Sequence, residues 1–227
     1  MPRLLLLCLL PAAVFAQNPK SAAACDDERR LEAAGLVDVQ TVDATLLVDL
    51  KYSTTDNFIK KDVYGCITRA FLQKEPARML AKANKLLQEK YPNYRLLVYD
   101  GARSRAVQRK LWVALPQYKP KLRENYVANP DEGSIHNFGC AVDLTVATAE
   151  GKPLDMGTPF DYFGDLAYPR KEAALLKAGK LTRQQVENRK VLRGVMEAAG
   201  FEGITSEWWH FNAYSRKQAG ERYGIIE

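Results

Sequence analysis

Histidine is scarce: the 227-residue sequence holds two, His136 and His210, against 33 Lys and Arg. Beyond Ala16 no apolar run approaches the ~20 residues a membrane-crossing helix needs. The formal charge of +6 comes from Lys and Arg spread through helices rather than gathered into a stripe. Nucleic-acid binding is therefore disfavoured, and the excess reads as a solvated surface. Internal repeats and long low-complexity tracts are missing as well. With only four cysteines, the chain is no disulfide-dense scaffold.

The first sixteen residues have the features of a secretory leader: Arg3, the apolar Leu4 to Leu10, and a small-residue cleavage site at Val14-Phe15-Ala16. Residues 1–16 are thus expected to be removed, leaving 17–227 as one exported, periplasmic domain with no stable membrane association. Cys8 leaves with the leader. Cys25, Cys66 and Cys140 remain, which in an oxidising compartment suggests one disulfide and a spare thiol, or none. The run Ala22-Ala23-Ala24-Cys25 lies too far beyond the apolar stretch to be a lipidation box.

Along the chain, 26–34 reads as a short polar helix and 45–52 as a strand. Helical periodicity covers 75–90, and 95–99 is a short buried strand leading into Asp100-Gly101-Ala102-Arg103. Ser104 caps a helix over 105–115, and 116–133 is a polar connection. A strand over 141–146 carries Asp143 and is followed by a turn at 150–152. Thr182 caps a helix over 183–199 that Gly200 ends in a left-handed conformation, and a last strand spans 208–212. Helices without a steady strand–helix alternation predict an α+β fold, a mainly antiparallel sheet flanked by helices.

Each histidine lies a few residues from a carboxylate, in Ser134-Ile-His136-Asn-Phe-Gly139-Cys-Ala-Val-Asp143 and in Glu207-Trp208-Trp209-His210. Catalytic zinc commonly takes three such side chains and keeps one position open. His136, Asp143 and His210 would complete that set, with Glu207 left free to take a proton from water. Taken singly, each residue also fits an ordinary core or surface position. The seven-residue step from His136 to Asp143 needs a turn before the strand, and Gly139 supplies it. Glu207 and His210, three apart, would face oppositely on a regular strand, so Glu207 is placed at an irregular lead-in.

The two signatures together, Ser-x-His-x-x-Gly-x-Ala-x-Asp and Glu-Trp-Trp-His, resemble those of the VanX-type D-alanyl-D-alanine dipeptidases, a zinc D,D-peptidase family that shares the hedgehog-domain fold. The resemblance runs from about Val48 to Phe211. It implies one zinc ion per chain on His136, Asp143 and His210, with Glu207 as the base. It also implies Arg103, in Asp-Gly-Ala-Arg-Ser where the family has Asp-Gly-Tyr-Arg-Pro, as stabiliser of the transition state. The missing tyrosine and proline suggest a looser loop. Met156-Gly-Thr-Pro-Phe160-Asp161 matches the segment whose aspartate anchors the substrate's amino terminus, and Tyr52 and Ser134 are carried over to the substrate pocket.

The substrate so implied is D-alanyl-D-alanine. The resistance-associated relatives act in the cytoplasm, so an exported enzyme would serve recycling or nutrition instead. One rival is a D,D- or L,D-carboxypeptidase trimming peptidoglycan stems, which would need an open channel and no ammonium clamp. Another is a non-catalytic binding module with a vestigial zinc site. A Cys140–His136 nucleophile pair is remote, since the same histidine is wanted by the metal.

Overall fold

The computed structural model describes residues 25–227; the expected leader lies outside them. Eight helices are described: α1 Asp26–Ala33, α2 Val39–Val42, α3 Lys74–Lys90, α4 Arg105–Val113, α5 Pro120–Arg123, α6 Glu172–Lys177, α7 Arg183–Ala199 and α8 Arg216–Arg222. Seven strands accompany them: β1 Val37–Asp38, β2 Leu47–Val48, β3 Phe71–Leu72, β4 Tyr94–Asp100, β5 Ala141–Thr148, β6 Glu202–Gly203 and β7 His210–Asn212. Five strands form the main sheet in the order β2-β4-β5-β7-β6, and β1 pairs separately with β3. Only β2–β4 is parallel in the main sheet, so the expected α+β fold with a mainly antiparallel sheet is what the chain adopts.

Strand alternation divides the two faces of this sheet. Leu96, Val98, Val142, Leu144 and Val146 are buried against Leu80, Ala83 and Leu87 of α3 and against Leu192, Val195 and Met196 of α7. The other face carries Tyr99, Asp143 and Ala147, covered in part by Phe160. Fully burying each leucine contributes about 1.5–3 kcal/mol, so the helical face fixes the sheet and leaves the other face for chemistry.

The expected helices have the expected caps: Ser104 Oγ accepts from Val107 N–H, Thr182 Oγ1 accepts from Gln185 N–H, and Gly200 is left-handed. The strand expected over 45–52 shrinks to Leu47–Val48, and Tyr52 instead lies on a 3-10 turn over Lys51–Ser53. The last strand begins at His210, so Glu207 does sit on irregular backbone.

Cys25 and Cys66 form a disulfide, while Cys140 is free and buried. The bridge ties α1 to the segment before β3, helped by Glu28, which accepts from Thr68 N–H and Arg69 N–H. It closes a sequence separation of 41 residues. Chain-entropy arguments for a loop of that size give about 4 kcal/mol. Urea unfolding of a Cys25→Ser, Cys66→Ser double variant is expected to show a loss approaching that figure, with a larger m-value because the unbridged denatured chain exposes more surface.

Candidate active site

The site is assembled by strand register. Asp143 and His210 are direct cross-strand partners on β5 and β7, and Asp100 of β4 faces Asp143 from the other side. Between Val98 and Asp100 the β4–β5 register shifts, with Tyr99 as the extra residue. Such bulges re-aim side chains beside functional sites. Here the bulge turns Asp100 inward.

His136 arrives from the 3-10 turn Ile135–Phe138, just ahead of β5. Ser134 caps that turn: its Oγ accepts from His136 N–H at 3.3 Å, and its own N–H donates to Asn137 Oδ1 at 2.6 Å. Gly139 ends it with φ 66°, and a Cβ there would lie 2.9 Å from Leu36 Cδ2, so both conformation and space demand glycine.

Three ligand atoms converge. His136 Nε2 lies 3.2 Å from His210 Nδ1 and 3.4 Å from Asp143 Oδ1, and His210 Nδ1 is 2.9 Å from Asp143 Oδ1. His136 Nδ1 is 2.7 Å from the Gly101 carbonyl, which can only accept, so that nitrogen carries the proton and Nε2 keeps its lone pair. His210 Nε2 donates in the same way to Asn212 Oδ1 at 2.8 Å, freeing Nδ1. Two imidazole lone pairs and a carboxylate oxygen, all nine-tenths buried or more, therefore point at one another. That donor set fits a divalent cation, with Gly101 and Asn212 orienting the ligands. Burial would raise the Asp143 pKa, but the histidines beside it hold the carboxyl well below its usual range.

Glu207 lies on the same pocket with Oε2 3.9 Å from His210 Nδ1. Burial, reinforced by the charges of Asp143 and Asp161, pushes its carboxyl up to about 7, against the pull of His210. Arg103 is buried: Nε donates to Asp100 Oδ2 at 3.0 Å, Nη2 to the same oxygen, and Nη1 to Gln108 Oε1 at 2.9 Å. Its guanidinium also lies over the Tyr52 ring at 5.0 Å.

The loop before Arg103 is not loose, despite the absent tyrosine and proline. Ala102 N–H donates to Phe71 O at 2.7 Å, Arg103 N–H to His136 O at 3.0 Å, and Asn137 Nδ2 to Arg103 O at 2.7 Å. A Cβ at Gly101 would lie 2.7 Å from Phe71 O, which explains the glycine. The tyrosine that supports Asp100 comes from elsewhere in the chain, as Tyr64 Oη donates to Asp100 Oδ1.

Asp161 takes a left-handed φ of 57°, tolerated by Asp better than by most residues. Its Oδ2 accepts from Tyr52 Oη at 2.9 Å. Burial first, then the Asp143 charge, pushes its carboxyl up to about 8, while Tyr52 and Arg103 pull it down. Every residue singled out from the sequence lines one cavity of about 290 Å³: Tyr52, Arg103, Ser134, His136, Asp143, Asp161, Glu207 and His210. Cys140 is not among them. It is fully buried, its Sγ donates to Phe138 O at 3.4 Å, and burial pushes its thiol up to about 12, so it is neither nucleophile nor ligand.

The chain matches the model of a peptidase family described as D-ala-D-ala dipeptidase over residues 32–223. It belongs to that family. The D-alanyl-D-alanine dipeptidase of Escherichia coli is 34% identical over 176 residues, 78% of this chain and 83% of its own. The enzyme of the same name from Enterococcus faecium is 33% identical over 178 residues, covering 72% and 83%. Among solved structures, the LdcB LD-carboxypeptidase aligns over 66% of this chain and 63% of its own at 16% identity and a TM-score of 0.41. The chain is thus a peptidase of a metal-dependent family, and His136, Asp143 and His210 form a cluster able to hold a metal ion.

Several residues that support the pocket carry no motif of their own. Asp100 opens the Asp-Gly-Ala-Arg loop with nothing local to mark its partner, and Gln108 is one of several polar residues on α4. Asn212 was findable, since it lies two positions past His210 on a strand and so shares its face. Replacing Asn212 by Leu leaves His210 unoriented and is expected to weaken metal binding 10- to 100-fold, measured by competition with a chelator.

Proposed function

We propose that the chain is an exported zinc enzyme hydrolysing the D-alanyl-D-alanine dipeptide to two D-alanines. The observation that carries this is the presence of Asp161, backed by Tyr52, in the same small cavity as the metal-ligand cluster and Glu207. A carboxylate at that end answers a free ammonium, which a dipeptide has and a peptidoglycan stem does not. At about 290 Å³ the cavity is also at the lower end for small-molecule sites, ~300–1,000 Å³. Both features disfavour the carboxypeptidase alternative. A catalytic base and a buried arginine beside the ligands disfavour a binding module. The Cys25–Cys66 disulfide suits the oxidising compartment that export would reach.

Zinc held by His136, Asp143 and His210 would polarise the scissile carbonyl and bring the pKa of an attacking water to about 7. Glu207 takes the proton from that water and returns it to the leaving amine; a carboxyl held near 7 is matched to both tasks. Arg103, locked by Asp100 and Gln108, meets the charge developing on the carbonyl oxygen, a contribution on the order of 3 kcal/mol. Asp161 accepts from the substrate ammonium. The Ser134 hydroxyl, whose oxygen already caps the His136 turn, keeps its proton for the far end of the dipeptide.

The deciding experiment compares free and N-acetylated D-Ala-D-Ala with metal-replete enzyme, against a chelated control. Cleavage of the free dipeptide far faster than of the acetylated form, both lost on chelation, is the expected result. Equal or faster cleavage of the acetylated form would move the protein to the carboxypeptidases.

A further inference from the structure

The largest fully buried side chain in the described structure carries a charge and lies outside the pocket: Arg189 on α7, 1% exposed. It sits three residues from both Val186 and Leu192, on the apolar stripe of its helix. Burying a guanidinium is costly unless its donors are used. Arg189 Nε donates to Met156 O at 2.7 Å and Nη2 donates to Leu166 O at 2.8 Å, while Nη1 lies 3.6 Å from Glu172 Oε1.

Those two carbonyls bracket residues 157–165, and Asp161 is five positions from each. One guanidinium therefore closes the neck of a compact surface loop whose midpoint is the pocket carboxylate. Neighbours on α7 hold the same neck. Asn188 Nδ2 donates to Asp155 O at 2.8 Å and Gln185 Nε2 to Asp155 Oδ2 at 2.8 Å. Gly157 (φ 83°) comes so close that a Cβ would be 2.5 Å from Leu181 Cδ2. At the apex, Asp161 holds its left-handed backbone and meets Tyr52. A backbone conformation of that kind persists only when its surroundings over-determine it.

We propose that Arg189 is a positioning residue for recognition of the substrate's ammonium: by tying Met156 and Leu166 together it fixes where Asp161 stands in the pocket, without touching substrate. The inference rests on the reading of Asp161 as the amine anchor. A planar fork spanning two carbonyls is a task for Arg that Lys, a single point donor, does not perform. The consequence falls on selectivity. Misplacing the anchor weakens the free dipeptide's hold and leaves the acetylated one, which makes no such ion pair, comparatively unaffected.

The test measures the ratio of kcat/KM for free to N-acetylated D-Ala-D-Ala in the parent, in Arg189→Lys and in Val195→Ala. Val195 is buried on the same helix in the core against the sheet and makes no polar contact to the loop, so its variant reports generic destabilisation. Arg189→Lys is expected to lower the ratio about tenfold or more, through KM of the free dipeptide, with faster amide exchange at 157–165. Val195→Ala is expected to keep the ratio while lowering Tm. An undiminished ratio in folded Arg189→Lys overturns the inference. Should that variant not fold, Asn188→Ala loosens the neck without disturbing the buried charge. It is expected to lower the ratio to a smaller extent, and an unchanged ratio there overturns the inference equally. A parent indifferent to acetylation sinks the Asp161 reading and this inference with it, whereas a selective parent with a selective Arg189→Lys sinks this inference alone.

Discussion

Glu207→Gln is expected to lower kcat on D-Ala-D-Ala about 10³-fold while metal content and KM stay near the parent's, since general bases typically supply 10²–10⁴. The amide keeps the shape and burial of the side chain and removes only its ability to accept the proton. Glu207 is suited to the role by position and by environment. Its carboxylate stands 3.9 Å from a ligand nitrogen, on irregular backbone that lets it share a face with His210. Burial raises it to about 7, so it can hold a proton between the attack on the carbonyl and departure of the amine. Metal analysis and single-turnover kinetics on the purified variant check the expectation. A variant within tenfold of the parent would assign the proton to another group, and a variant that had lost its metal would make Glu207 a structural neighbour of the ligands rather than the base.

How much of this site could be read from the sequence followed the distance over which each residue acts. His136, Asp143, Glu207 and His210 were legible because two short motifs hold all four and because scarcity made each histidine conspicuous. The long helices were legible because α3 and α7 each carry a sustained apolar stripe ended by a cap or by Tyr91-Pro92. The short elements were not. β1 and β3 are two residues each and exist through pairing with one another, a contact that periodicity cannot see. Residues 45–52 have strand composition, yet beyond Val48 the chain turns into the 3-10 segment that carries Tyr52 toward Asp161. α8 was missed although Ser215 and Gln218 form a capping box, a signal present in the sequence. The disulfide partner of Cys25 depends on where α1 docks, which spacing does not determine. Arg189 offered the opposite kind of clue, a charge on an apolar stripe, which marks a buried partner without saying which one.

Asp161→Asn is expected to raise KM for free D-Ala-D-Ala about 10- to 100-fold, the range of a hydrogen bond to a charged group, and to abolish the fall of that KM with rising pH below the plateau. The sign follows from the raised pKa. In the substrate-free pocket burial, and after it the Asp143 charge, hold Asp161 protonated up to about pH 8, whereas an ammonium requires the carboxylate. Binding below that pH must therefore release a proton, and KM should fall by up to tenfold per unit as pH rises toward the pKa. Neutralising Asp143 with a bound cation removes the larger of the two charges that raise it, the other being Asp100, so the metal-loaded enzyme should reach its plateau at lower pH than 8. Above the plateau the trend reverses, because the dipeptide's own α-amino group loses its proton near ~8. Stability gives an independent check. A carboxyl whose folded pKa lies above its unfolded value loses stability as pH climbs from about 4 to about 8, so in metal-free protein Asp161→Asn should raise Tm at pH 8 and leave it nearly unchanged at pH 3. A KM that keeps its pH slope in the Asn variant would show that the proton released on binding belongs to a different group, and Asp161 would then be no anchor for the amine.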